Sequence, residues 1–221
     1  MRMRKKKHGN ERILACSHFL IGNPVELRDD PQKYFEERRP LHLEIGCGKG
    51  SFAAGLTSAR HDINLIAMEK ISDVAVTALE RAMASADTRP DNLRFIIGDA
   101  KMLAEYFPPN SIDTIYINFC DPWPKKGHTK RRLTYKGFLD IYKYILKEDG
   151  MLVFKTDNQG LFDFSMEEFE KCGLEIVWST RDLHGEQNEY AKNNIVTEYE
   201  KNFSEKGFKI CSAHVRFPSK K

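Results

Sequence analysis

Residues 41–50 read Leu41-His42-Leu43-Glu44-Ile45-Gly46-Cys47-Gly48-Lys49-Gly50. A short apolar run gives way to glycines two apart, the pattern of a strand that ends in a tight turn where a helix begins. The same rhythm continues downstream. Apolar runs rich in Ile, Val and Phe at residues 64–68, 93–97, 114–118 and 151–155 read as further strands. Helical patterns at 50–60, 72–85, 101–106 and 136–147 lie between them as right-handed crossovers, so the strands are expected to be parallel. A helix at 160–172 and two late strands at 175–179 and 209–216 complete the expectation: an α/β fold, a doubly wound and mostly parallel sheet with an antiparallel edge.

A glycine turn after the first strand marks a Rossmann-type nucleotide site. The dinucleotide fingerprint is incomplete, because counting from Gly46 puts Ser51 at its third glycine, and the P-loop pattern is missing. Glu44 beside the turn repels a pyrophosphate but suits an ammonium group, which favours S-adenosylmethionine over NAD or ATP. Two further acids follow successive strands. Glu69 is placed to accept hydrogen bonds from ribose hydroxyls, and Asp99 to meet an adenine amino group. One acid at a strand end is usually a helix cap or a solvated residue; three in succession after this turn favour a cofactor site in the crevice beyond the strand ends.

The chain has 221 residues, 41% hydrophobic and 30% charged, so it can bury a core and is neither fibrous nor disordered by composition. Its net charge of +3 points to a polyanionic partner only where the positive residues cluster. Five cysteines without a close pair suggest neither a disulfide framework nor a zinc site, and no metal is expected. The basic start Met1-Arg2-Met3-Arg4-Lys5-Lys6-Lys7-His8 lacks a following apolar stretch, and no run is long enough to span a bilayer. A reducing, cytoplasmic setting is expected. Residues 1–40 read as a basic N-terminal extension, in which Arg2, Arg4, Lys5, Lys6 and Lys7 form either an RNA-touching arm or a solubilising tail. The domain proper is expected at 41–221.

The most informative stretch follows the fourth strand: Asp121-Pro122-Trp123-Pro124-Lys125-Lys126-Gly127-His128-Thr129-Lys130-Arg131-Arg132-Leu133. It places six basic groups in eight positions beside a carboxylate, a cluster suited to phosphates. Trp123 reads equally as a packing residue or as a ring that stacks on a base or walls the pocket. The stretch closely resembles the bacterial tRNA (guanine-N7)-methyltransferases. The glycine turn, Phe154-Lys155-Thr156-Asp157-Asn158 and Thr197-Glu198-Tyr199-Glu200-Lys201-Asn202-Phe203 agree in order and spacing, so the resemblance covers residues 41–208.

The resemblance implies a Rossmann-like S-adenosylmethionine-dependent methyltransferase fold and methylation of a guanosine N7 in the tRNA variable loop, at tRNA position 46. It implies cofactor contacts from Glu44, Gly46, Gly48, Glu69, Asp99 and Asp121, with Asp121 also catalytic. Lys125, Asp157, Thr197, Glu198, Tyr199 and Glu200 are implied to contact the substrate nucleotide, and Gly127, His128, Thr129, Lys130, Arg131 and Arg132 the RNA. Thr197 to Glu200 reads equally well as a helix start with a Thr cap and two first-turn acids. Gly127 and Cys120 depart from the family, which often has a basic residue and a serine there.

Guanine N7 already carries an in-plane lone pair, so this chemistry needs orientation rather than a base. Cys120 as a nucleophile is the weaker reading, because N7 methylation forms no covalent intermediate. Methylation of an adenine amino group calls for two prolines before the aromatic residue, an order that Asp-Pro-Trp-Pro does not have. A non-catalytic RNA-binding module fits poorly with acids at four strand ends. Monomer and homodimer are both compatible with the sequence.

Overall fold

A computed structural model describes residues 6–84 and 90–218. Seven strands form one sheet: β1 (Leu41–Ile45), β2 (Asn64–Glu69), β3 (Leu93–Ile97), β4 (Ile112–Asn118), β5 (Leu146–Thr156), β6 (Glu175–Thr180) and β7 (Cys211–Arg216). Their order is β3-β2-β1-β4-β5-β7-β6. The first five are parallel, while β7 runs antiparallel between β5 and β6, as the sequence rhythm predicts. Because β1 lies between β2 and β4, the crossovers leave it in opposite directions, and a crevice opens beyond its carboxyl end.

Helices α1 (Gly9–Ala15), α2 (Ser51–Ala59) and α3 (Ser72–Ala84) cover one face; α4 (Leu103–Tyr106), α5 (Lys136–Ile145) and α6 (Gln159–Lys171) cover the other. Spacing explains the burial: Phe138, Leu139, Tyr142 and Ile145 form the inner stripe of α5. The Asn158 side chain caps α6 by accepting the Leu161 amide at 2.8 Å. Gly50 starts α2 in the left-handed region at φ 75°, and a Cβ there would lie 2.8 Å from that of Ala78, so the α2–α3 approach requires glycine. Two short helices, α7 (Glu189–Lys192) and α8 (Glu198–Ser204), lie between β6 and β7.

Element ends differ from the sequence expectation by a residue or more at several places. The helix expected to reach residue 147 stops at Ile145, because buried Leu146 pairs with Ile112 and lengthens β5. The last strand starts at Cys211 rather than 209. Residue 85, the expected end of α3, lies outside the described residues, as do Arg2, Arg4 and Lys5 of the basic cluster.

Residues 6–40, expected to lead into the domain as a polar extension, pack onto it. Arg12 makes a two-pronged ion pair with Glu80 at 2.6 and 2.7 Å. Phe19 and Ile21 exchange backbone hydrogen bonds with Phe95 of β3, at 2.7 and 2.9 Å. Leu27 and Phe35 join the core on the opposite face. Short turns carry these residues inward, which is why they leave no periodic signal. Among the described residues no helix is long and apolar enough to cross a membrane.

Candidate active site

Gly46 and Gly48 adopt φ of 78° and 57°, which lets the chain double back over the end of β2. The Gly46 and Cys47 amides donate to Met68 O at 2.8 and 2.9 Å. Glu69 braces the turn, accepting the Gly48 amide on one oxygen at 3.0 Å and the Ile71 amide on the other at 2.8 Å. Asp99 accepts from Lys70 Nζ at 2.8 Å and from the Lys101 amide at 3.0 Å. Partial burial opposes its ionisation, but these two donors outweigh it and hold the carboxyl below its usual range. A cavity of about 800 Å³ opens above these groups, and Gly46, Gly48, Glu69, Asp99 and Asp121 all line it.

Glu44 lies elsewhere. Alternation along β1 gives Ile45 to the cavity and turns Glu44 to the other face, where it is 2% exposed. Among the described residues it accepts one long hydrogen bond, 3.4 Å from Asn118 Nδ2, and finds no partner for its Oε2. Burial pushes its carboxyl up to about 8, despite the Asn118 bond and the nearby Lys155 charge. A buried acceptor without a donor is expensive, and an arriving ammonium group is the chemistry that satisfies it. Together with the cradle over the glycine turn and the acids of β2 and β3, this orphaned oxygen fits S-adenosylmethionine.

The loop after β4 is held under strain. Phe119 and Trp123, on either side of Cys120-Asp121-Pro122, take φ of 53° and 41°, conformations costing about 1–3 kcal/mol each for non-glycine residues. The Phe119 amide donates to Lys155 O at 2.9 Å. Arg132 secures the other end, donating to Pro122 O at 3.0 Å and Trp123 O at 3.1 Å with its guanidinium over Phe164. Arg132, expected to touch the RNA, thus also braces the loop from within the protein. The result is a carboxylate, Asp121, presented exposed at the cavity on a braced loop.

Gly127, His128, Thr129 and Lys130 form a 3-10 turn that starts beside Lys125 and ends at Arg131. Arg131 lies over the Trp123 ring at 4.9 Å, with His128 at its edge 5.5 Å away, and both Arg131 and Trp123 line the cavity. Trp123 thus walls the pocket. Lys125 and Lys130 are exposed beside it. Burial, with Asp121 adding its charge, pushes the Cys120 thiol up to about 12, so it holds no thiolate for nucleophilic attack.

On the β5 side, Tyr199 donates its hydroxyl to Asp157 at 3.3 Å and packs against Phe119 with ring centres 5.0 Å apart. Thr197 and Glu200 form a capping box that starts α8, the helix reading of this segment. Glu198 reaches Arg81 at 2.6 Å. Glu200 is fully buried against Lys155 Nζ at 2.8 Å. Lys155 also donates to Asn194 Oδ1 and Ile195 O, at 2.8 and 3.0 Å. Sequence reasoning missed Lys155 as a structural centre; its signal is a lone cation closing the apolar run Met151-Leu152-Val153-Phe154.

The fold defines a class: the sheet order, mostly parallel with an antiparallel edge, is that of the Rossmann-like S-adenosylmethionine-dependent methyltransferases. An antibiotic-related methyltransferase superposes with a TM-score of 0.60 at 19% identity over 88% of this chain and 94% of that one. The 30S ribosomal A1408 methyltransferase from an uncultured bacterium gives 0.55 at 14%, covering 97% and 96%. Phosphoethanolamine N-methyltransferase 2 from Haemonchus contortus, solved with S-adenosyl-L-methionine, gives 0.52 at 14% identity. It is matched over 95% of this chain, which spans about half, 53%, of that one.

The pattern of a family described as "Putative methyltransferase" matches residues 38–213. The chain belongs to that family, which is the family of tRNA (guanine-N7)-methyltransferases.

Proposed function

We propose that the protein transfers a methyl group from S-adenosylmethionine to N7 of a guanosine in tRNA, at tRNA position 46 of the variable loop, leaving 7-methylguanosine and S-adenosylhomocysteine. The observation that carries this reading is Asp121, an exposed carboxylate on a strained, braced loop between the cofactor cavity and a cluster of basic residues. Family membership supports the choice of tRNA and of N7.

The bound cofactor supplies an electrophilic methyl group. Gly46 and Gly48 give it room over the turn, Glu69 retains acceptor capacity for ribose hydroxyls, and Asp99 for the adenine amino group. Glu44 answers the ammonium group from behind the turn. No residue has to remove a proton, since N7 presents a lone pair. The chain's work is to hold the guanine in line and to shelter it from water. Asp121 fixes the guanine edge and stabilises the positive charge that develops on the purine. Trp123, stiffened between Pro122 and Pro124, walls the site. Asp157 and Tyr199 contact the nucleotide from the β5 side, with Thr197, Glu198 and Glu200 shaping that segment. Lys125, Lys130 and Arg131 meet phosphates, and Gly127, His128 and Thr129 give the turn its close approach to the RNA.

The test is incubation of the protein with labelled S-adenosylmethionine and unmodified tRNA, with ribosomal RNA as the competing substrate. Label in tRNA, lost in Asp121→Asn, supports the reading; label in ribosomal RNA alone overturns it.

A further inference from the structure

Four aromatic rings run from the cavity to the outer surface. Phe119 lines the cavity, and its ring centre is 5.0 Å from that of Tyr199. Tyr199 and Phe203, one turn apart on α8, stack at 4.2 Å with an interplanar angle of 17°. Phe208 continues the series, 5.4 Å from Phe203. It is brought back by Gly207, at φ 82°, and by its own amide, which donates to Phe203 O at 3.1 Å. That helix-ending turn accounts for the contact between the two rings but not for the exposure of Phe208. Phe208 is 53% exposed and Tyr199 43%, an arrangement that leaves apolar surface in water. Lys206 Nζ lies 5.5 Å from the Phe203 ring centre, so a cation accompanies the ladder.

We propose that this ladder is a stacking platform for the RNA outside the reaction cavity, with Phe208 carrying an unpaired base next to the target guanosine. The inference rests on the reading above that the substrate is RNA. Three features favour an unpaired nucleotide as the occupant. The ladder is continuous with the wall of the cavity, an exposed aromatic ring offers a π-face that any base can stack on, and Lys206 supplies a cation for the adjoining phosphate. A protein partner would call for a wider apolar patch than this narrow row.

The experiment measures steady-state methylation of unmodified tRNA by the full chain carrying Phe208→Ala, Phe208→Leu or Phe208→Trp, with cofactor affinity and melting temperature recorded for each. Phe208→Ala is expected to raise KM for tRNA about tenfold, the size of one base–aromatic stack, with kcat and cofactor affinity kept. Phe208→Leu preserves an apolar contact with Phe203 without a flat ring, so it should raise KM as well and keeps the test open if the alanine variant folds poorly. Phe208→Trp should restore KM. A wild-type KM in Phe208→Leu, or a loss that Phe208→Trp does not repair, overturns the platform while leaving tRNA methylation standing. Absence of tRNA methylation by the unaltered protein overturns both.

Discussion

Lys155 Nζ and Glu200 Oε2 lie 2.8 Å apart with side chains 3% and 0% exposed, tying the end of β5 to the first turn of α8. Desolvation lowers the Lys155 ammonium below its ordinary range, and Glu200 holds part of the charge in place. Tyr199, next to Glu200 on α8, meets Asp157 and Phe119.

Breaking this pair from one side leaves a buried, uncompensated charge. Lys155→Met should destabilise the protein by about 3–5 kcal/mol, and the double variant Lys155→Met/Glu200→Leu should recover most of that. Thermal unfolding reads the stability. If the pair also positions the substrate wall, the double variant will melt near the wild type yet keep a raised KM for tRNA. A normal KM in that variant would confine the pair to stability.

Asp121 is exposed at the cavity on a loop held by Arg132 and Lys155, so its removal should spare the fold. Asp121→Asn is expected to lower kcat about 100-fold or more, the scale of removing one group aimed at developing charge. The melting temperature should stay unchanged. A variant with near-normal kcat would remove Asp121 from the chemistry.

Glu44 predicts a pH dependence with a definite sign. Its carboxyl titrates near 8 in the folded chain, against an ordinary 4.5. Below about 4.5 it is protonated whether the chain is folded or not. As pH rises from 4.5 to 8 the unfolded chain loses its proton first, so stability falls and the full penalty is present above 8. Without cofactor, Glu44→Gln should therefore melt higher than the wild type at pH 9, with the gap closing towards pH 5. Cofactor binding runs the other way, since an ammonium partner ionises Glu44. Calorimetry at pH 7 in two buffers of different ionisation enthalpy should detect a released proton, absent in Glu44→Gln.

The basic turn makes a salt prediction. Lys125→Ala, Lys130→Ala and Arg131→Ala each remove one cation that the proposed function sets against a phosphate, so each should reduce the slope of log affinity against log salt by about 0.7–0.9. Arg132→Ala should act differently. Its guanidinium holds Pro122 O and Trp123 O, so its removal should cut kcat more than it changes the salt slope. An Arg132→Ala variant with a normal kcat and a reduced slope would return Arg132 to the RNA-facing group.

The parallel strands and the glycine turn were legible because local residue pattern dictates them: Leu41, Leu43 and Ile45 alternating along a short strand, then left-handed glycines at Gly46 and Gly48. Glu69, Asp99 and Asp121 were legible for the same reason, since a strand end in a parallel sheet has a known address. Long-range partners were not. Glu200 follows Lys155 by 45 residues, and only the packing of α8 onto the sheet brings them together. Arg132 looks in the sequence like one of six surface cations, because its carbonyl partners depend on how the loop folds back. The core residues Phe19, Ile21, Leu27 and Phe35 were obscured by the polar turns that carry them.

The identity of the methylated atom is the decisive observable. Unmodified tRNA incubated with the protein and labelled S-adenosylmethionine, digested to nucleosides and separated, should yield its label as 7-methylguanosine, and Asp121→Asn should yield almost none. Label recovered in any other nucleoside would overturn methylation at guanine N7.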